Sequence, residues 1–526
     1  MVNLVKRLTI LFFIFTTLFS ASFIAMANAK EVVFLHTNDI ESVYSPVEAF
    51  WSESITRIGG IPNLSTLINE QRSQADTTFL LDAGDIFTGS LAKQSSGKFV
   101  FDVYSEMGYD AVNIGNHEFE YGWKTFRDNM PRARFPILCA NIFYADKNIP
   151  FARPYAILEK DGIRVAVIGA MGIDAFYNTI AKKNREGLIV KDPAAAIQQW
   201  VDYVHDDVDV VVVLTHQNKS APMQTDKQAD AEVQRGFDED YALAGKLKNV
   251  DMIFGGHSDN GLLKPVVHPD TGIVIGITFG QGMHLGYTKF SVDTAAKTVV
   301  YNEGYLIPVD SDKYPANPKI RNMLIAAENS YPQLSQVVAH TDKFAYRRFY
   351  RESNIGNLIT DMLKQETNAN IAIIGSGNIR ADINAGDVTV AQVMDVFPFT
   401  DTLAVVEIEG RHLKALFEYS YSLSYGLAQA SGIDTQYDSK RKEGERLMSI
   451  NVGGKPVDKD RIYRIATNSF VATGGDGYEV MKNGTVFDTG KSVTDILINA
   501  FRSRRSVKIP EIGHQVDVSE HLIKKD

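Results

Sequence analysis

Cysteine is almost missing: Cys139 alone occurs in the 526 residues. Intrachain disulfides are therefore excluded, and so is any metal site built from several thiolates. "PILCANI" around Cys139 reads as a strand with a buried, inert thiol, because no electropositive neighbour is at hand to form a thiolate. Basic excess is missing too. The formal net charge is −10, and a surface of that sign repels a nucleic acid duplex. An anionic substrate would need local cations, from metals or clustered arginine. The sequence shows no internal repeats or low-complexity tracts, and no serine or cysteine nucleophile motif.

A long apolar run does stand at the start, "LTILFFIFTTLFSASFIAMANAK", after Lys6 and Arg7 and before the small-x-small triplet Ala27-Asn28-Ala29. This order reads as a signal peptide over residues 1–29, with no cysteine after it to carry a lipid anchor. Its loss would remove two positive charges, leave a net charge of −12, and give a periplasmic or secreted chain without a membrane segment. At 44% hydrophobic and 22% charged, a chain of this length is globular and too long for one core.

From residue 32 to 290, short β-branched runs end repeatedly in polar, ligand-type residues: "VVFLHTND", "TTFLLDAGD", "AVNIGNHE", "VAVIGAMG", "VDVVVVLTHQN" and "MIFGGHSD". Helical patterns such as "GGIPNLSTLINEQRSQ" lie between them, which predicts layered α/β structure. "ANPKIRNMLIAAENSYPQLSQV" predicts a helix leading to a second α/β domain with its own strands and helices. The expected boundaries are 30–312, a linker over 313–337, and 338–526.

Side chains at the carboxyl ends of strands in open α/β sheets gather in one crevice. Here those ends supply Asp39, Glu41, Asp85, Asn116, His117, His216, His257 and Asp259. Oxygen and imidazole donors without thiolate suit hard or borderline divalent ions, and there are too many donors for one ion. Two metals bridged by Asp85 fit best, and such a pair can generate a hydroxide and clamp the oxygens of an in-line phosphoryl displacement. Asn116 offers a neutral amide oxygen. His117 beside it can assist a departing alkoxide, with Glu120 fixing its tautomer.

"LHTNDIES", "LLDAGDIFTGS", "NIGNHEFEYG", "LTHQN" and "GGHSD", in this order, resemble the 5'-nucleotidase family, which includes secreted nucleotidases, UDP-sugar hydrolases and cyclic-nucleotide phosphodiesterases. The resemblance implies a four-layer, calcineurin-like metallophosphoesterase sandwich joined by a helix to an α/β nucleotide-binding domain. One metal would sit on Asp39, Glu41, Asp85 and Asp259, and the other on Asp85, Asn116, His216 and His257. His117 and Glu120 would be catalytic. In the second domain "RRFYRESNIGNLITDML", "GSGNIRADI", "VFPFTDT" and "NSFVATGGDGY" carry the likeness. They imply that Arg347, Arg351 and Arg380 meet the anionic end of the substrate, Phe399 and Phe470 stack the base, and Asp476 holds the ribose. Relatives commonly have histidine at position 41 and glutamine at 259, so two extra carboxylates favour Mn²⁺, Mg²⁺ or Ca²⁺ over Zn²⁺. The activity implied is release of phosphate from extracellular nucleotides, with hydroxide attacking in line and the nucleoside oxygen leaving toward His117. UDP-sugar or 2',3'-cyclic-nucleotide hydrolysis, and a nucleotide-binding surface protein with a weakened centre, are the rival readings.

Overall fold

In the computed structural model, residues 29–49, 51–219 and 236–519 are described. The expected signal peptide lies outside them, apart from Ala29. Among the described residues no helix is long and apolar enough to cross a membrane.

The first part of the chain builds two six-stranded sheets. In one, Lys30–Thr37, Thr77–Asp82, Ala111–Asn113 and Ile137–Leu138 run parallel, and the antiparallel pair His284–Asp293 and Thr298–Pro308 extends the Lys30 edge. In the other, Ile163–Met171, Val210–His216, Met252–Phe254 and Val274–Gly276 run parallel, with an antiparallel strand at each edge. Side-chain alternation explains why the sheets stack. Val32, Phe34, Phe79 and Leu81 share a core with Val210, Val212 and Leu214 of the facing sheet. The intervening Val33, Leu35 and Leu80 pack on helices Ile61–Ser73 and Lys98–Met107, and Val211 and Val213 pack on Pro193–Val204. The layers are therefore helix, sheet, sheet, helix.

Helix Pro318–Ser330 follows, capped by the Asn317 side chain, which accepts from the Lys319 N–H. It buries Ile320 in the core of the first sandwich and Leu324 in that of the second unit, so it packs with both. The second unit has a five-stranded sheet in the order Gln429–Ser431, Ile371–Ile374, Ile462–Asn468, Thr402–Glu409, Thr485–Ser492. Asn354–Thr367 and Val493–Arg504 cover one face and Leu413–Ser420 the other. One local expectation fails. "PILCANI" is two short strands, Ile137–Leu138 and Ile142–Tyr144, with Cys139 buried in the break between them. The side-chain amide of Asn141, bonded to the carbonyls of Met171 and Lys191, draws the chain out of line there.

Candidate metal and nucleotide site

The polar clusters at the parallel strand ends converge. Ligand atoms of Asp85, His216 and His257 lie within 4.8 Å of one another, and so do atoms of Glu41, Asp85 and His117. Asp85 belongs to both groups, the position a bridging ligand needs. Asn116 Oδ1 lies 3.0 Å from His216 Nε2, and Asp85 Oδ2 lies 3.0 Å from the same nitrogen. His216 Nδ1 is held by the Ala83 carbonyl at 3.0 Å, which turns Nε2 toward the centre. Asp39 is fixed by the Asn38 side chain at 2.7 Å and by the His257 N–H at 2.9 Å. Two loops approach closely to make this possible: a Cβ on Gly115 would lie 2.2 Å from Asp85 Oδ1. Asp39, Glu41, Asp85, His257 and Asp259 all have positive φ, between 52° and 83°. Left-handed backbone at this many non-glycine residues marks strain held by the surrounding structure.

"GNHEFE" forms a single 3₁₀ turn, His117–Phe119, so positions 117 and 120 share a side. His117 Nδ1 meets Glu120 Oε1 at 2.7 Å, which leaves Nε2 facing the cavity, 3.4 Å from Glu41 Oε1. Burial lowers the imidazole pKa, but Asp85 and Glu120 outweigh it and push the value up to about 10. Glu118 points the other way and went unassigned in the sequence. Its carboxylate accepts from the N–H groups of Gly115, Asp85, Ile86 and Phe87, clasping both ligand-bearing loops. Asp240 is a second missed residue. It accepts from Thr215 and Gln217 on either side of His216.

The second unit closes the site. A cavity of about 110 Å³ is lined by Asp39, Glu41, Asp85, Asn116, His117, Glu120, His257 and Asp259 from the first sandwich, and by Arg380, Phe399, Asp401, Phe470 and Asp476 from the second unit. The Phe399 ring stacks at 6.0 Å from His117. Gly475 leaves room for the Phe470 ring, whose atoms would lie 2.4 Å from a Cβ there. Arg380 pairs with Glu41, and its buried Nε has no protein partner. The other two arginines stand apart. Arg347 donates to Gln281 Oε1 at 2.7 Å and lines neighbouring cavities, while Arg351 is exposed and outside the lining. His216 is fully buried behind Asn116 and Asp85 and does not reach the cavity surface.

The donor set fits divalent cations. Burial, with Asp85 adding, pushes Asp39 up to about 6; burial and Asp39 push Asp259 up to about 7. Burial acts on Asp85 in the same direction, yet the charges of His216 and His117 hold it below the usual carboxylate range. Buried carboxylates short of positive charge, with imidazole and amide donors beside them, are what a pair of divalent ions would stabilise.

A four-layer sandwich with this cluster at its strand ends defines a metallophosphoesterase, and residues 32–259 match the calcineurin-like phosphoesterase family model. Residues 337–483 match the 5'-nucleotidase C-terminal domain. The chain belongs to the 5'-nucleotidase family of hydrolases, and divalent metal binding comes with that fold. It is 28% identical to a 5'-nucleotidase of Diplobatis ommata, over 92% of this chain and 89% of the relative. It is 27% identical to a 5'-nucleotidase of Bos taurus, over 94% and 92%. The crystal structure of a 5'-nucleotidase precursor from Thermus thermophilus superposes with a TM-score of 0.80 at 27% identity, covering 92% of this chain and 99% of that one.

Proposed function

We propose that this protein is an exported 5'-nucleotidase that releases phosphate from nucleoside 5'-monophosphates with Mn²⁺ or Mg²⁺. The observation that carries the reading is the shared cavity, in which metal-type donors, the His117–Glu120 pair and the aromatic wall of Phe399 and Phe470 face one space. The charged, apolar, then small-residue start of the chain supports export. Asp39, Glu41, Asp85 and Asp259 would hold one ion, and Asp85, Asn116, His216 and His257 the other. Bound there, the ions supply an activated water and neutralise charge on the phosphate.

The chain's own groups do the rest. Glu120 holds His117 Nδ1, so the proton on Nε2 is aimed into the cavity, where it can pass to the ribose oxygen as the ester bond breaks. Arg380, released from Glu41, presents its guanidinium to the phosphate oxygens. Phe399 and Phe470 would hold the base by its faces, and Asp476, buried at the cavity wall, would accept from the ribose hydroxyls. Arg347 and Arg351 would reach the phosphate only after the two units move.

A phosphate-release panel tests this: AMP, UMP, ATP, UDP-glucose, a 2',3'-cyclic nucleotide and an aryl phosphate, each with Mn²⁺, Mg²⁺, Ca²⁺ and Zn²⁺. The expected result is fastest release from the 5'-monophosphates with Mn²⁺ or Mg²⁺. Faster release from UDP-glucose or the cyclic ester would reassign the substrate. No release from any would leave a nucleotide-binding protein.

A further inference from the structure

The cavity wall carries a carboxylate that the proposed hydrolysis does not use. Asp401 follows Phe399 by two residues, lines the same cavity as Phe399 and Phe470, and is 6% exposed. Its Oδ2 accepts from Asn468 Nδ2 at 2.9 Å, and Asn468 precedes Phe470 by two residues. One hydrogen bond thus ties together the two phenylalanine-bearing segments, whose strands pair at Leu403 and Asn468. Asp401 Oδ1 is less engaged. The Ser469 hydroxyl lies 3.4 Å from it, beyond the usual 2.5–3.0 Å of an O–H···O bond. That oxygen keeps acceptor capacity on a side chain that lines the same space as the two rings.

We propose that Asp401 sets the base preference of the site and favours guanine, the base with two adjacent N–H donors on one edge. The proposal rests on reading the cavity as a nucleotide site. Ring faces tolerate any base, so discrimination falls to the edge. An ionised carboxylate only accepts. Guanine offers N1–H and the 2-amino group side by side, whereas hypoxanthine and uracil offer one N–H flanked by oxygen. Xanthine replaces the 2-amino group with a carbonyl that would face the carboxylate and leave both unpaired. Adenine and cytosine place an unprotonated ring nitrogen next to their amino group. A partner mismatched in this way is rejected more strongly than one that merely lacks a contact.

The test compares kcat/KM for GMP, IMP, XMP, AMP and UMP with Mn²⁺, for the parent and for Asp401→Asn, whose amide can donate to a carbonyl. Assays near about pH 8 keep the carboxyl ionised, since burial and Glu120 push it up only to about 6. GMP is expected to exceed XMP and UMP by about tenfold or more in the parent, the scale at which a carboxylate reads a base edge. In Asp401→Asn the ratio of XMP to GMP should rise by a similar factor. If the variant does not fold, inhibition of aryl phosphate hydrolysis by guanosine against xanthosine in the parent decides, and tighter binding of guanosine is expected. Equal use of GMP and XMP by the parent, or an unchanged ratio in the variant, would overturn the assignment of Asp401 while leaving the nucleotidase reading intact. No release from any nucleotide would overturn both.

Discussion

His117 and Glu118 are neighbours with opposite tasks, and each makes a separate prediction. His117 faces the cavity through Nε2, so His117→Ala should lower turnover by about 10²–10⁴, the range for proton transfer to a leaving group. Metal content, read by mass spectrometry of the purified protein, should be unchanged. A normal rate with both metals retained would remove His117 from the chemistry. Glu118 is buried and does not line the cavity, yet four buried N–H groups depend on it. Each unpaired N–H costs about 1–3 kcal/mol, so Glu118→Ala should destabilise the fold by at least about 3 kcal/mol and also lower metal occupancy. A melting temperature equal to the parent's would show that the loops hold without it.

At the level of elements, the site is two loops pressed together, Gly84-Asp85 against Gly115-Asn116. Gly115→Ala would drive a methyl group into Asp85, so the loops must part and the bridging position opens. The expected outcome is loss of at least one metal per chain with the sheet intact, seen as reduced metal content and an unaltered circular dichroism spectrum. Full metal content would mean the loops tolerate the side chain.

This is also where the reach of the sequence becomes clear. Strand ends with ligand-type residues stand out because hydrophobic runs mark the strands, and the crevice at their carboxyl ends follows from the topology. The layers could be read for the same reason. Glu118 was hidden because a carboxylate that accepts backbone N–H groups needs no partner residue type and leaves no spacing. The signal available was the turn itself: with 117 and 120 on one side, 118 must face back into the protein. Asp240 lies 24 residues beyond His216 and has no pattern at all. The "RRFYR" arginines sit outside regular structure, so nothing periodic says which of them faces the centre. Arg348 over the Tyr346 ring and Arg347 on Gln281 are tertiary outcomes.

For the whole molecule, the decisive quantity is space. About 110 Å³ is well under the roughly 300 Å³ at which pockets begin to enclose drug-sized ligands. A space this tight predicts that the units separate to load a nucleotide and close to act. The contacts holding them together are apolar and polar: Leu91 packs into the second unit's core, the Phe399 ring lies on His117, Arg380 pairs with Glu41, Tyr425 donates to Asp174, Ser90 N–H donates to Asp395 at 2.7 Å, and Lys93 donates to the Phe399 carbonyl at 2.6 Å. Cysteines placed at Ser90 and Asp395 and joined by a short bifunctional reagent should trap this arrangement. Release of phosphate from AMP should then stop and return when a cleavable linker is cut. Undiminished activity in the linked protein would mean that nucleotides enter without separation.

The left-handed residues of the proposed metal site bear on how this enzyme tolerates change. Five non-glycine residues in that conformation, on the order of 1 kcal/mol each, are substantial beside a typical net stability of about 5–15 kcal/mol. The metal-free protein therefore has an easy route to greater robustness, which is to give up the site. Asp259→Gly relieves one left-handed side chain and removes a buried carboxylate from a crowded group. It should raise the melting temperature in chelator and lose that advantage once Mn²⁺ is added, because the parent gains more from the ions than a variant lacking one of their ligands. A variant that melts below the parent in chelator would show that Asp259 supports the fold rather than strains it. Selection for thermal tolerance without selection for turnover should therefore erode these positions first, and a heat-stable descendant that no longer hydrolyses its substrate is the trade-off this backbone invites.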